Sequence, residues 1–183
     1  MNSLSAVFRD VGAPLSVERV RLDPPKDTEV LVRLAAAGLC RTDYHVMRGE
    51  RRVAMRPMVL GHEGAGVVEE VGAAVSGIAR GDHVVLTFIP GCGRCRWCLQ
   101  GLHHLCVEGP RITQGPQLDG TYRRHDREGR PVGAFCMIGA FAEYAVVDQA
   151  SVVVINKTFR LISPRSVPAG CRPGSAPRAT ARV

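Results

Sequence analysis

The sequence predicts a mainly β fold with short helices, arranged as a small barrel or sandwich. Short apolar or alternating segments recur at short intervals, which is typical of strands. The 183 residues include 20 Gly and 12 Pro, enough to supply many turns. No segment keeps the 3.6-residue apolar period of an amphipathic helix over four turns. Together these observations favour many short strands around one core.

The predicted strands occupy most of the first 155 residues. The segments SAVFRD, LSVERVRL and EVLVRLAAAGLC come first, and the turn-forming stretches VGAP and DPPKD separate them. GAGVVEEVG and GDHVVLTFIP follow, and IGAFAEYAVV and ASVVVI complete the ordered part. Residues 109–135 are predicted to form a loop, because five Gly and three Pro interrupt any regular pattern there.

A change of composition near Asn156 sets the predicted domain boundary. We expect one folded domain over residues 1–155 and an irregular basic tail over residues 156–183. The tail has too few large apolar side chains to offset the entropy cost of ordering. Our hypothesis is a truncated end or an out-of-frame reading of GC-rich coding sequence. Resequencing tests this, since a clean stop with no shifted frame downstream would contradict it.

The net charge of +7 does not predict a nucleic-acid partner. Six of the 24 basic residues lie from Lys157 onward, which leaves 18 basic against 17 acidic residues in the main body. An organised basic face is therefore not expected. No apolar run approaches the roughly 18 residues of a membrane span, and no secretory signal is evident at the start. We expect a cytoplasmic protein without nucleic-acid or membrane partners, whose seven cysteines serve metal binding or catalysis.

Four cysteines lie close together in CGRCRWCLQGLHHLC. Their spacing, C-x2-C-x2-C-x7-C, offers four thiolates on a glycine-rich loop, as a tetrahedral zinc site requires. An iron–sulfur cluster is the nearest alternative, but its ligand runs use a shorter last gap followed by proline, whereas Val107 follows here. Four thiolates leave no open position, so the site should be structural. His103 and His104 are adjacent and are expected at the surface. The proposed ligands are Cys92, Cys95, Cys98 and Cys106.

A second metal site is indicated by Cys40 and His62. Cys40 ends a predicted strand, and His62 stands in LGHEGAG, where the glycines suggest tight turns or close backbone approach. Thr42 and His45 place a hydroxyl and an imidazole near the thiol, which is a plausible proton path.

At these motifs the sequence resembles the zinc-dependent medium-chain alcohol dehydrogenases. The resemblance covers residues 5 to 155, which corresponds to the N-terminal GroES-like domain of that family. It implies a partly open β-barrel with a zinc lobe at residues 91–110. The segment GPQLDGTYR is most similar to the branch of nicotinoprotein alcohol dehydrogenases and formaldehyde dehydrogenases. The motifs are GLCRTDYHVMRGE (38–50), LGHEGAGVVEEVG (60–72), GDHVVLTFIPGCGRCRWCLQGLHHLC (81–106) and FAEYAVV (141–147).

The resemblance implies a catalytic zinc as well as the structural one. Cys40 and His62 match two of its ligands, and Glu63 matches the acidic neighbour of the zinc histidine. The third family ligand is a cysteine further along the chain, and Cys171 lies near its place in a non-matching context. Cys136 matches no ligand and is expected to be a small buried side chain.

The resemblance also assigns roles to the residues that follow Cys40. Asp43 matches the carboxylate that orients the metal ligands. Thr42 matches the hydroxyl that takes the alcohol proton, and His45 matches the histidine that relays it to solvent. Arg41 matches a contact to the cofactor pyrophosphate. The implied reaction converts a small alcohol and NAD to an aldehyde or ketone and NADH, in an enzyme whose relatives are homo-oligomers.

The expected NAD-binding element is absent from the sequence. A Rossmann domain begins with G-x-G-x-x-G between a strand and a helix, and GHEGAG has a different spacing and contains His62. We therefore expect an N-terminal fragment with little activity alone. Two alternatives stay open, a non-catalytic zinc-stabilised binding module and a zinc-free reductase of the same superfamily. The two candidate metal sites, the four-cysteine lobe and the pair Cys40 and His62, disfavour the second alternative.

Overall fold

A computed structural model describes residues 1–159 and 161 of the chain. In this part the protein is built from short strands with few helical turns. The strands are β1 (Asn2–Phe8), β2 (Ser16–Leu22), β3 (Glu29–Ala37), β4 (Met58–Val59), β5 (Gly64–Val71), β6 (His83–Leu86), β7 (Arg124–His125), β8 (Pro131–Ala134), β9 (Tyr144–Asp148) and β10 (Val152–Ile155). The α-helices are α1 (Arg41–Met47) and α2 (Arg96–Leu99), and 3-10 turns lie at His103–Leu105, Gly109–Thr113, Phe135–Met137 and Gln149–Ser151.

Five strands close into a small barrel in the order β1-β2-β7-β8-β4. The hairpin of β1 and β2 is its longest part, with Asn2 opposite Arg21 and Val7 opposite Ser16. The pair of β4 and β8 is parallel, and the other pairs of this ring are antiparallel. Because β4 and β7 have only two residues each, the ring is short.

The other five strands form an antiparallel sheet in the order β10-β6-β5-β3-β9. Next to the edge strand β9, β3 begins with the buried Glu29 and continues with the apolar run Val30, Leu31 and Val32, which is buried on both faces. β-branched side chains pack well on such a pleated, buried surface. The core beside it is correspondingly rich in valine, with Val30, Val32, Val68, Val84 and Val147 almost inaccessible to water.

Barrel and sheet meet where β1 passes the segment that leads into β9. The amide of Ala6 donates to the carbonyl of Phe141 at 2.8 Å, and the amide of Glu143 donates to the carbonyl of Leu4 at 3.0 Å. An isolated bridge joins Ser5 to Ala142 between them. The two sheets are thus continuous through hydrogen bonds.

The architecture confirms the predicted mainly β fold with a barrel, and it corrects one segment. Residues 109–135 are not a plain loop, because they contain a 3-10 turn and the barrel strands β7 and β8. These strands exist because of pairing with β2 and β4, and they are too short to show a periodicity. Among the described residues there is no Rossmann-type sheet. The helices of this part fall short of the length and apolar character that a membrane span requires. Most of the predicted tail, residues 156–183, lies outside the described part.

Candidate metal centres

The four cysteines of the predicted lobe converge in space. Their Sγ atoms all lie within 4.8 Å of one another. Cys98 and Cys106 are buried, whereas Cys92 and Cys95 are half-buried. Cys92 and Cys98 bring their sulfurs to 3.9 Å, and the amide of Cys92 points at the sulfur of Cys106 at 3.3 Å. This is the arrangement that a four-thiolate zinc site needs.

The local backbone favours thiolates at the rim of this cluster. Cys95 precedes helix α2, and backbone amides, first that of Cys98 and then that of Val107, lower its pKa to about 6. Burial raises the pKa of Cys98 to about 12. Since thiols in mutual contact titrate together, a divalent cation is the natural way to hold all four as thiolates. His103 and His104 are exposed, as predicted.

The second group joins Cys40, His62 and Glu63, whose ligand atoms also lie within 4.8 Å of one another. Cys40 follows β3 and stands in extended conformation just before α1. His62 lies two residues before β5, directly after Gly61, which adopts a φ of +88°. A Cβ at Gly61 would lie 2.8 Å from the backbone nitrogen of Phe141, so both space and conformation call for glycine.

Asp43 contacts this second group on the Nδ1 side of the His62 ring. It is buried, and its Oδ1 accepts a hydrogen bond from the amide of Gly61 at 2.9 Å and faces Nδ1 of His62 at 3.4 Å. The hydrogen bond with Asp43, more than any other interaction, raises the pKa of His62. The other ring nitrogen, Nε2, lies 3.9 Å from Oε1 of Glu63. A carboxylate behind one imidazole nitrogen leaves the other directed at a metal, as in many zinc proteins.

The structure places the predicted proton-path residues on α1. The hydroxyl of Thr42 lies 3.5 Å from Sγ of Cys40, so these two residues come together as expected. His45 lies one turn further along and contacts the carboxylate of Glu50. Within residues 1–159 and 161 no hydrogen bond connects Thr42 to His45. Arg41 is exposed at the start of the helix.

Sequence reasoning missed the aromatic walls of this site. The ring of Phe88 meets His62 edge-on with centroids 5.7 Å apart, and Phe135 does so at 5.6 Å. Cys136 is buried beside Phe135, as predicted for a small apolar side chain, and burial raises its pKa to about 12. It has a positive φ of 55° and is not one of the grouped ligands. Phe88 stands in the strand-like segment GDHVVLTFIP, and this position was the only signal in the sequence. The alternation of that segment did not mark Phe88 as part of the site.

The donors present fit zinc at both places. Thiolate and imidazole are ligands that zinc favours, and a carboxylate can complete the set. The buried Oδ2 of Asp43 has no hydrogen-bond partner among the described residues. The predicted further ligand, Cys171, lies outside the described residues. In the described part no other cysteine or histidine joins Cys40 and His62.

Comparison with known proteins now identifies the class. Residues 26–157 match the family described as the alcohol dehydrogenase GroES-like domain, and the chain belongs to that family. An NDMA-dependent alcohol dehydrogenase from Amycolatopsis methanolica is 45% identical over 156 residues, which are 85% of this chain and 42% of that protein. The S-(hydroxymethyl)glutathione dehydrogenase of Saccharomyces cerevisiae is 40% identical over 155 residues, which are 84% and 40% of the two chains.

A solved structure agrees with this assignment. The alcohol dehydrogenase zinc-binding domain protein from Burkholderia ambifaria superposes with a TM-score of 0.81 at 39% identity, over 86% of this chain and 43% of that one. The family is therefore as the sequence indicated, and the two relatives above are similar to this chain over its predicted domain. The chain spans about two fifths of the length of the curated relatives it matches.

Proposed function

We propose that this chain is the zinc-binding part of an NAD-dependent alcohol dehydrogenase acting on a small alcohol or aldehyde. The observation that carries the proposal is the meeting of Cys40, His62 and Glu63, with Asp43 behind the imidazole. A purely structural domain has no need of this second group. Residues 1–155 form the working domain in this proposal, and Cys171 is the one residue of 156–183 to which it gives a possible role.

Each metal group has a distinct task. The four cysteines hold a structural zinc, because four thiolates fill its coordination sphere. Cys40, His62 and Glu63 would hold a catalytic zinc, with Cys171 as a further candidate ligand. A zinc ion bound there supplies Lewis-acid polarisation of the alcohol oxygen and lowers the pKa of the alcohol. Asp43 fixes the ring of His62 so that Nε2 keeps its direction.

The chain's own residues would move the proton and bind substrate. The hydroxyl of Thr42, beside Cys40, would accept the hydroxyl proton of the alcohol and release its own proton, which His45 would pass to solvent. The edges of Phe88 and Phe135 give the site apolar walls, which exclude water and suit the hydrocarbon part of a small alcohol. Arg41, exposed at the start of α1, is available to the cofactor pyrophosphate.

The reaction balances only with a nicotinamide partner. The carbinol carbon loses a hydride to NAD and the hydroxyl loses a proton, which gives an aldehyde or ketone and NADH. The described residues form no Rossmann-type sheet that could hold NAD. We therefore propose that the chain alone has little dehydrogenase activity. That the complete enzyme is a homo-oligomer is proposed from the family resemblance alone.

A non-catalytic, zinc-stabilised binding module is the second candidate. One observation favours it, since the four-cysteine group is complete within the described residues, while Cys40 and His62 find only Glu63 as a third donor. In that case the metal would stabilise the fold and Thr42 would have no task.

A fusion experiment separates the two candidates. Residues 1–155 are joined to the C-terminal part of the Amycolatopsis methanolica relative, and oxidation of short alcohols with NDMA as the acceptor is followed by absorbance. We expect activity that Thr42→Val lowers by about 10²-fold or more, since a positioned proton-transfer group contributes on that order. Thr113→Val, at a half-buried threonine in a 3-10 turn, is the matched control. A well-folded fusion without activity, or with equal activity in Thr42→Val, contradicts the proposal.

A further inference from the structure

Glu50 is a residue to which the family resemblance gives no role, and it contacts the ring of His45 directly. One of its carboxylate oxygens meets Nδ1 of the imidazole. The backbone supports this contact, because the amides of Glu50 and Arg51 both donate to the carbonyl of His45, at 2.9 and 3.1 Å. The chain after α1 thus folds back onto His45, and two main-chain hydrogen bonds hold Glu50 within reach.

The turn that makes this possible depends on Gly49. Its φ is +75°, in the left-handed region that favours glycine, and a Cβ there would lie 2.8 Å from a methyl group of Val11. The amide of Gly49 donates to the carbonyl of Val46 at 3.0 Å and closes the end of the helix. A tight reversal at the helix end therefore brings the next side chain, that of Glu50, back towards His45.

The guanidinium of Arg48 lies near the other oxygen of the same carboxylate. Nε of Arg48 lies 3.8 Å from Oε1 of Glu50, and the Arg48 guanidinium also lies over the ring of Tyr44, 5.9 Å from its centroid. Glu50 therefore bridges a guanidinium and an imidazole. A carboxylate can only accept hydrogen bonds, so Glu50 presents an acceptor to the imidazole.

The acceptor at Nδ1 determines which ring nitrogen carries the proton. In a neutral imidazole one nitrogen is a donor and the other an acceptor, and the partner of one nitrogen sets the state of the other. A carboxylate at Nδ1 selects the Nδ1–H form and leaves the lone pair on Nε2. A histidine that relays a proton needs such a free lone pair in a fixed direction.

We propose that Glu50 is a positioning residue, which holds His45 as the Nδ1–H tautomer and thereby makes Nε2 the proton acceptor of the relay. The link from this tautomer to catalysis rests on the function proposed above. The tautomer itself depends only on the contacts of Glu50 with His45 and can be measured without any turnover.

Nitrogen-15 NMR of the full chain tests the tautomer directly. Long-range correlations are recorded at pH 8.5, about two units above the ordinary histidine pKa of roughly 6.5, and His45→Gln assigns its signal among the six histidines. We expect His45 to be mainly Nδ1–H in the unaltered chain. Glu50→Ala should shift it to a mixture with a majority of Nε2–H, and Glu50→Gln should preserve Nδ1–H because the amide oxygen still accepts.

The control is Glu70→Gln, which alters an exposed glutamate of β5 and should leave the His45 signal unchanged. Unchanged signals of the other histidines show that the Glu50 variants keep their fold. A His45 that is Nε2–H in the unaltered chain, or that does not respond to Glu50→Ala, overturns the inference. Failure of the proposed function would look different, since the fusion would be inactive while the tautomer still followed residue 50.

Discussion

Replacing Arg123 by methionine should lower the free energy of unfolding by about 3–5 kcal/mol, the range found when one partner of a buried ion pair is removed. Nε and Nη2 of Arg123 donate to the two oxygens of Glu29, each at 2.7 Å. Both side chains are almost inaccessible, with exposed fractions of 3% and 4%. Without the guanidinium, the Glu29 carboxylate would keep one backbone donor, the amide of Lys26 at 2.9 Å.

The expected loss converts into a measurable change of melting temperature. In a protein of this size 1 kcal/mol shifts the midpoint by about 2–4 °C, so we expect a decrease of roughly 6–20 °C. Urea unfolding followed by circular dichroism at a fixed concentration of free zinc gives the free energy itself. Arg123 also donates to Asp119 at 2.8 Å, but that carboxylate is partly exposed and water can replace the contact.

Two further variants make the reasoning refutable. Arg33→Met removes an ion pair of the same length, since Arg33 lies 2.7 Å from Glu69, but the Arg33 side chain is 49% exposed. This variant should lower the free energy of unfolding by less than about 1 kcal/mol. The double variant Glu29→Leu with Arg123→Met removes the stranded charge and should recover most of the loss. A change below about 1 kcal/mol in Arg123→Met, or a double variant less stable than the single one, would refute this account of the pair.

Three more predictions concern the metal sites and the response to pH. Gly61→Ala should destabilise the domain by about 1–3 kcal/mol in urea unfolding, because φ is +88° and the new methyl meets Phe141; a neutral result would contradict the tight turn before His62. Burial alone would raise the pKa of Asp126, but hydrogen bonds from the backbone and side chain of Arg130 outweigh it and hold that pKa below its usual value. Asp126 therefore contributes stability above the unfolded pKa of about 3.9, and this contribution is lost as the pH falls through the folded pKa. Thermal midpoints measured from pH 5 to 2 should consequently fall less steeply in Asp126→Asn than in the unaltered chain. Identical slopes would contradict this. Chelation should shift the emission of Trp97, the chain's sole tryptophan, to longer wavelength as the lobe opens, whereas emission that does not respond to chelator would argue against metal in the lobe.

The sequence predicted the fold class and the clustering of the four lobe cysteines because those signals are local. β1, β2 and β3 follow apolar and polar alternation or continuous apolar runs, and the four cysteines carry their spacing in one short segment. Cys40 and His62 became recognisable as a pair through the surrounding motifs. The strands β7 and β8 were missed because their pairing with distant partners, and not any periodicity of their own, defines them.

Other features of the site and core were not predictable because they arise from contacts between distant segments of the chain. Phe88 and Phe135 reach His62 from segments far apart along the chain, so no window of the sequence joins them. Arg124 is fully buried and its Nη2 donates to the carbonyls of Ile138 and Gly139, although an arginine in a Gly- and Pro-rich stretch is expected at the surface. Such residues are found only once the fold brings their partners together.

The number of zinc ions per chain tests the central claim most directly. Metal analysis of the purified full chain after gel filtration should give two zinc per chain, and His62→Ala should give one, while His104→Ala at an exposed histidine should still give two. Cys98→Ser should release the other ion by removing a buried thiolate of the lobe. One zinc per chain that is unaffected by His62→Ala would contradict the account and leave only the structural lobe.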